Sequence, residues 1–110
     1  MHDIRAVIFD LDGVLVDSEP IHLRAANRIL RRHGTAIDER EYRASIGLGE
    51  VATWTAWRER FHLAASVDEL VAAHTRARLQ EIAAGISPIA PAVQLAHRLH
   101  TEGLALAIAS

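Results

Sequence analysis

The chain is 110 residues long, half of them apolar and about a quarter charged, with a formal net charge of −2. That length and composition suit one small globular domain, or one domain and part of another. The near-neutral balance argues against nucleic acid or an anionic membrane as partner, and the absence of cysteine excludes disulfides and thiol catalysis.

Met1-His2-Asp3-Ile4-Arg5-Ala6-Val7 lacks the basic stretch and apolar core of a secretory signal. No apolar run approaches the roughly 18 residues of a membrane span. A cytoplasmic protein is expected. All twelve basic residues are arginine, so chemistry that needs a lysine must find it elsewhere.

Ile4-Arg5-Ala6-Val7-Ile8-Phe9 is short, apolar and rich in β-branched residues, which predicts a buried strand of a parallel sheet. Asp10-Leu11-Asp12-Gly13 follows at once. Pro20 then opens a helix whose apolar face is Ile21, Ala25, Ala26, Ile29 and Leu30, and Gly34 stops it. Asp38 with Glu41 reads as the capping arrangement of a second, short helix. Gly47-Leu48-Gly49 is a loop, and a third helix is expected over residues 50–63. Ser66 with Glu69 is a capping box. The helix it opens carries Leu70, Val71, Ala73, Ala77 and Ile82, and Gly85 and Pro88 end it. Pro91 starts a further helix with Val93, Leu95, Ala96 and Leu99 available for burial. Gly103 stops it, and Leu104-Ala105-Leu106-Ala107-Ile108-Ala109 is a second buried strand.

The two strands are joined by roughly 95 residues, where a simple parallel crossover needs about a dozen or more. The surplus predicts a helical insert. The expected organisation is a partial α/β core over 1–17 and 85–110, with a helical cap over 18–84. Two strands make a poor parallel sheet, since sheets usually hold about four to six. The chain is therefore expected to be the N-terminal part of a longer protein.

The chemistry concentrates at the end of the first strand. In open α/β folds, ligands bind beyond the carboxyl ends of the strands. Asp10 and Asp12 leave an apolar strand together. Buried without partners they would be costly, so a metal ion or hydrogen-bonding groups must compensate. Oxygen-rich sites of this kind suit magnesium, which keeps several waters and takes one or two carboxylates plus phosphate oxygens. Gly13 allows a sharp turn and close backbone approach to a ligand.

Asp10-Leu11-Asp12-Gly13-Val14-Leu15-Val16-Asp17-Ser18 resembles the first motif of the haloacid-dehalogenase-like superfamily, in the subgroup of β-phosphoglucomutase and phosphoglycolate phosphatase. The likeness continues through Ser18-Glu19-Pro20-Ile21-His22. It resumes at Gly103 to Ser110, which is similar to the strand ending in the second motif's serine. The insert is similar in length and place to that subgroup's cap. The resemblance implies an incomplete doubly wound parallel core with an α-helical cap, and a magnesium-dependent phosphatase of small phosphorylated metabolites.

It also implies roles. Asp10 would attack phosphorus to give an aspartyl-phosphate. Asp12 would protonate the leaving oxygen and later deprotonate the hydrolytic water. The Asp10 carboxylate and the Asp12 backbone carbonyl would bind magnesium. Gly13 and Ser110 would contact the phosphate, and His22 would sit near the cap hinge and contact substrate. An aspartate at Asp12 points to an oxygen leaving group, unlike the dehalogenase and phosphonate-cleaving branches. The loop Ile46-Gly47-Leu48-Gly49-Glu50 lacks the arginine with which β-phosphoglucomutases grip a second phosphate, and none follows until Arg58. That favours a phosphatase over the alternative, a sugar phosphomutase. The family also needs a later lysine or arginine and later acidic metal ligands, expected in the missing C-terminal half of the fold. Alone, the chain is expected to be inactive. A shortened, non-catalytic binding or regulatory protein is a further alternative. His97 with His100 and Arg31-Arg32 read as solvated faces, and Trp54 with Trp57 as packing within the cap.

Overall fold

Capping residues and apolar spacing set the element boundaries of the computed structural model, which describes residues 3–109. The order is β1 (Ala6–Asp10), β2 (Val16–Asp17), α1 (Glu19–Arg32), α2 (Glu39–Ser45), α3 (Glu50–Phe61), α4 (Val67–Ala84), β3 (Ser87–Pro88), α5 (Ala90–Thr101) and β4 (Ala105–Ala109). These elements divide into two compact units: a helical unit from Pro20 to Gly85, and a flanking unit from the segments up to Glu19 and from Ile86 onward. None of the helices is long and apolar enough to cross a membrane, among the described residues.

In the flanking unit, β1 and β4 pair in parallel, from Ala6 opposite Ala105 to Asp10 opposite Ala109. Helix α5 packs against β4. It does so with Val93, Ala96 and Leu99 half-buried at a spacing of three, which places them on one helical face. This is the parallel α/β arrangement with a helical insert that the sequence implies. The expectation of strands buried on both faces is corrected. Ile8 is 70% and Ile108 63% exposed. The reason is that a two-stranded sheet with a single helix in its unit leaves one face uncovered. Leu95 and Ile82, read as core candidates, are likewise exposed.

A second strand pair carries no periodic signal in the sequence. Val16–Asp17 runs antiparallel to Ser87–Pro88, and the N–H of Ile89 donates to the Leu15 carbonyl at 2.8 Å. Two-residue strands are too short to show alternation. They tie together the two segments of the flanking unit next to the insert.

The helical unit holds the main core. Ala25, Ala26, Ile29 and Leu30 of α1 pack with Ile37, Trp54, Trp57, Leu63, Leu70 and Ala77. Trp54 and Trp57 meet edge to face, their centroids 5.1 Å apart, a geometry that aromatic quadrupoles favour. Gly34 adopts φ +81°, and the Thr35 N–H reaches back to the Leu30 carbonyl at 3.1 Å. The left-handed backbone at Gly34 thus closes α1 and reverses the chain toward Ile37. Both capping boxes form: Asp38 with Glu41, and Ser66 with Glu69.

One polar residue organises this core from inside. Asn27 is buried, and its side chain makes both bonds to the backbone of Ile37: Nδ2 donates to the carbonyl at 2.9 Å, and Oδ1 accepts from the N–H at 2.8 Å. The amide replaces the missing strand partner of an otherwise unpaired buried segment. Replacing Asn27 by alanine orphans two backbone groups at once. Each costs about 1–3 kcal/mol, so Asn27→Ala should lower unfolding stability by several kcal/mol in a urea titration. A loss below about 1 kcal/mol would mean that water replaces the amide.

Glu41 carries a second prediction. Its backbone bond to Asp38, then its bond to Arg60 and that cation's charge, hold its carboxyl below the ordinary carboxylate range against a smaller opposing effect of burial. A depressed folded-state pKa contributes stability that is present above the unfolded value and lost as pH falls through the folded one. Acidification should therefore loosen the start of α2 only below the pH at which a free glutamate protonates. Amide exchange of Glu41 and Tyr42 followed by NMR from pH 6 down to 3 checks this. Glu41→Gln should abolish that acid limb.

Candidate functional site

Asp10 closes β1, and the chain turns immediately after it. The turn is built on the Leu11 carbonyl, which accepts from the N–H groups of Leu15 and Val16, both at 3.1 Å. The Gly13 N–H donates to the Val16 carbonyl at 2.9 Å, and Asp12 bridges to Val16. Gly13 adopts φ +74°, in the region where only glycine sits without strain. A Cβ built there meets nothing within 4 Å. The turn therefore requires glycine for its backbone conformation and not for lack of room.

This turn presents both carboxylates. One oxygen of Asp10 accepts from the Leu11 N–H at 2.8 Å, which orients the group. Asp10 and Asp12 both stand exposed. The Asp10 carboxylate and the Asp12 backbone carbonyl are hard oxygens of the kind a magnesium ion takes while keeping several waters. No cluster of three or more histidine, aspartate or glutamate side chains placed to hold a metal exists among the described residues. Asp10 and Asp12 would thus supply part of a coordination shell.

Asp10, Asp12 and Gly13 thus share one turn. Ser110 lies outside the described residues; its neighbour Ala109 pairs with Asp10. His22 lies on α1 in the helical unit, stacked on Tyr42 with ring centroids 6.4 Å apart.

His22 also lines a cavity of about 240 Å³ within that unit, together with Tyr42, Glu50, Trp54, His74 and Arg78. Its polar end is a cluster drawn from α3 and α4. His74 is 7% exposed, and its Nδ1 lies 2.8 Å from Glu50 Oε1. A carboxylate only accepts, so Nδ1 carries the proton. Arg78 approaches the same oxygen at 3.8 Å. The Nε2 atom of His74 is buried without a partner among the described residues. The signal that finds this cluster is the i, i+4 spacing of His74 and Arg78 on α4, which gives them one face. Glu50 enters from the first turn of α3, and no local pattern links it to them.

A family model described as haloacid dehalogenase-like hydrolase matches residues 4–110. A "Phosphorylated carbohydrates phosphatase" of Thermotoga maritima is 40% identical over 47 residues, 43% of this chain and 22% of that protein. A Thermotoga maritima structure provisionally assigned as a β-phosphoglucomutase superposes with a TM-score of 0.79 at 22% identity, over 96% of this chain and 49% of that one. A variant of CbbY from Rhodobacter sphaeroides, crystallised with xylulose-1,5-bisphosphate, superposes with a TM-score of 0.72 at 25% identity, over 97% of this chain and 51% of that one. The chain thus spans about half the length of these solved structures, and its match covers about a fifth of the curated relative.

The turn after β1 makes a direct prediction. Gly13→Ala places a side chain in the left-handed region, at a cost of about 1–2 kcal/mol. Chemical denaturation of the complete protein should show that loss. Unchanged stability would mean that the turn relaxes to a negative φ.

Proposed function

This chain belongs to the haloacid dehalogenase-like hydrolase family, and we propose that the enzyme carrying it is a magnesium-dependent phosphatase of small phosphorylated metabolites. Phosphorylated carbohydrates are the favoured substrate class, and the cytoplasm the place of work. The observation that carries the reading is the turn at the end of β1, where Asp10 and Asp12 stand two residues apart at the carboxyl end of a parallel strand pair. The phosphatase likeness over 47 residues supports it.

On this reading, a carboxylate oxygen of Asp10 attacks phosphorus and the bond to the leaving oxygen breaks. Asp12 gives that oxygen its proton, so the alcohol departs neutral. The aspartyl-phosphate on Asp10 is then hydrolysed by a water whose proton Asp12 takes back. Phosphate leaves and both carboxyls return to their starting states. Asp10, with the Asp12 backbone carbonyl, would hold magnesium, which when bound offsets the repulsion between carboxylate and phosphate dianion. The Gly13 backbone and Ser110 would hold the phosphate oxygens. His22 would contact the substrate from the helical unit. The domain reading is the same proposal in other terms: a core from residues 1–17 and 85–110, and a cap from 18–84.

A phosphomutase is the second reading, favoured by the fold shared with a structure provisionally assigned as β-phosphoglucomutase. Glu50 counts against it, because the α2–α3 loop ends in a carboxylate where a second phosphate would need a cation.

Kinetics of the complete protein test the assignment. Asp10→Asn should lower kcat by about 10³-fold or more, since no nucleophile remains. Asp12→Asn should lower it by about 10²–10⁴-fold for an alkyl phosphate. Its loss should be much smaller for p-nitrophenyl phosphate, whose leaving group departs without a proton. Equal losses for both esters would remove Asp12 from the acid role, and an active Asp10→Asn would remove the nucleophile.

A further inference from the structure

Helix α2 buries none of its seven residues fully. Among the described residues, Tyr42 is the one side chain of α2 that packs against the core of the helical unit. Yet the helix is fixed from several sides. Its start carries the Asp38–Glu41 capping box, Arg60 of α3 bonds to Glu41, and the Asn27 amide holds Ile37 just before it. The Ser45 hydroxyl donates to the Tyr42 carbonyl at 2.6 Å. A short helix held this firmly, with so little burial of its own, serves to place one aromatic ring.

That ring lies nearly parallel to His22, with the planes 13° apart and the centroids 6.4 Å apart. The separation falls within the roughly 4.5–7 Å over which aromatic rings interact. Both side chains are half-buried and border the cavity of the helical unit. A side chain beside a cavity lacks packing atoms on the open side. The last torsion of a histidine is broad, so its ring turns unless a neighbour confines it. A flat ring laid alongside does so.

We propose that Tyr42 is the positioning residue of His22: the phenol ring confines the imidazole so that its nitrogens keep one orientation. The proposal rests on the reading of His22 as a substrate contact in one respect, that the confined ring then favours binding. Confinement before binding removes an ordering cost that would otherwise weaken the complex. The effect comes from the plane of the ring and not from its hydroxyl, so phenylalanine replaces Tyr42 and an aliphatic side chain does not.

Ring dynamics of the complete protein test this without turnover. In ¹³C relaxation by NMR, the His22 ring of the wild type should show an order parameter near the roughly 0.85 of a rigid backbone. Tyr42→Phe should keep it. Tyr42→Leu and Tyr42→Met, which fill similar space without a ring plane, should drop it below about 0.6. The urea midpoint of each variant separates loss of the ring from loss of the fold. An order parameter unchanged in the aliphatic variants, or a fall in Tyr42→Phe equal to theirs, would overturn the proposal. Kinetics with a hexose phosphate and magnesium judge the substrate contact separately. Tyr42→Leu should lower kcat/KM about three- to tenfold, the scale of one aromatic contact, and Tyr42→Phe should stay within about twofold. In a His22→Ala background, Tyr42→Leu should add nothing further. Additive losses would mean that Tyr42 acts apart from His22, against the proposal. If His22→Ala costs nothing while its ring order in the parent depends on Tyr42, the positioning stands and the contact reading falls.

Discussion

The parallel pairing of Ala6–Asp10 with Ala105–Ala109 is the constraint on which the rest of the structure depends. Parallel strands cannot be joined by a tight turn. The chain must travel from one end of the sheet to the other, and here it uses that passage to build a whole helical unit. The same pairing brings both strands to finish at one end, with Asp10 opposite Ala109. That end is where open α/β folds place their ligands. Slippage of the register by one residue would turn Asp10 toward the other face of the sheet and remove its neighbour.

Packing is distributed unevenly over this plan. Among the described residues, the buried apolar side chains of the flanking unit are Phe9 and Leu15, and the others lie in the helical unit. Stability is thus concentrated where Asn27, the tryptophans and the two capping boxes are, and the carboxylates stand on a thinly covered strand pair. Exposed Ile8 and Ile108 mark the faces of that pair as apolar surface of the sort that sheets normally bury. The charged pairs of the helical unit, such as Arg24 with Glu81 at 3.0 Å, lie at its surface and contribute little beyond about 1 kcal/mol each.

Much of this was legible from local chemistry. Asp38 with Glu41 and Ser66 with Glu69 announce their helices because each box is complete within four residues. The face of α1 follows from apolar spacing alone, and every residue so named is buried. The Asp10–Gly13 turn was readable because strand, carboxylates and glycine are contiguous. What escaped depends on partners distant in sequence. Asn27 is ordinary until Ile37 is folded against it. Glu50 and His74 lie 24 residues apart and meet only in the folded unit. The β2–β3 pair is too short to leave a pattern, and the exposure of Ile8 depends on how many strands flank it. Local sequence signals local order, and these features are tertiary.

Covalent chemistry at Asp10 leaves a mark that can be trapped and located. The complete protein is mixed with a phosphorylated sugar and magnesium, quenched in acid, and reduced with borohydride, which converts an acyl phosphate to the alcohol. Peptide mass spectrometry then locates the reduced residue. Homoserine is expected in place of Asp10, only in samples given substrate, with Asp12 unaltered. Turnover without reduction at Asp10, or reduction at another carboxylate, would contradict it.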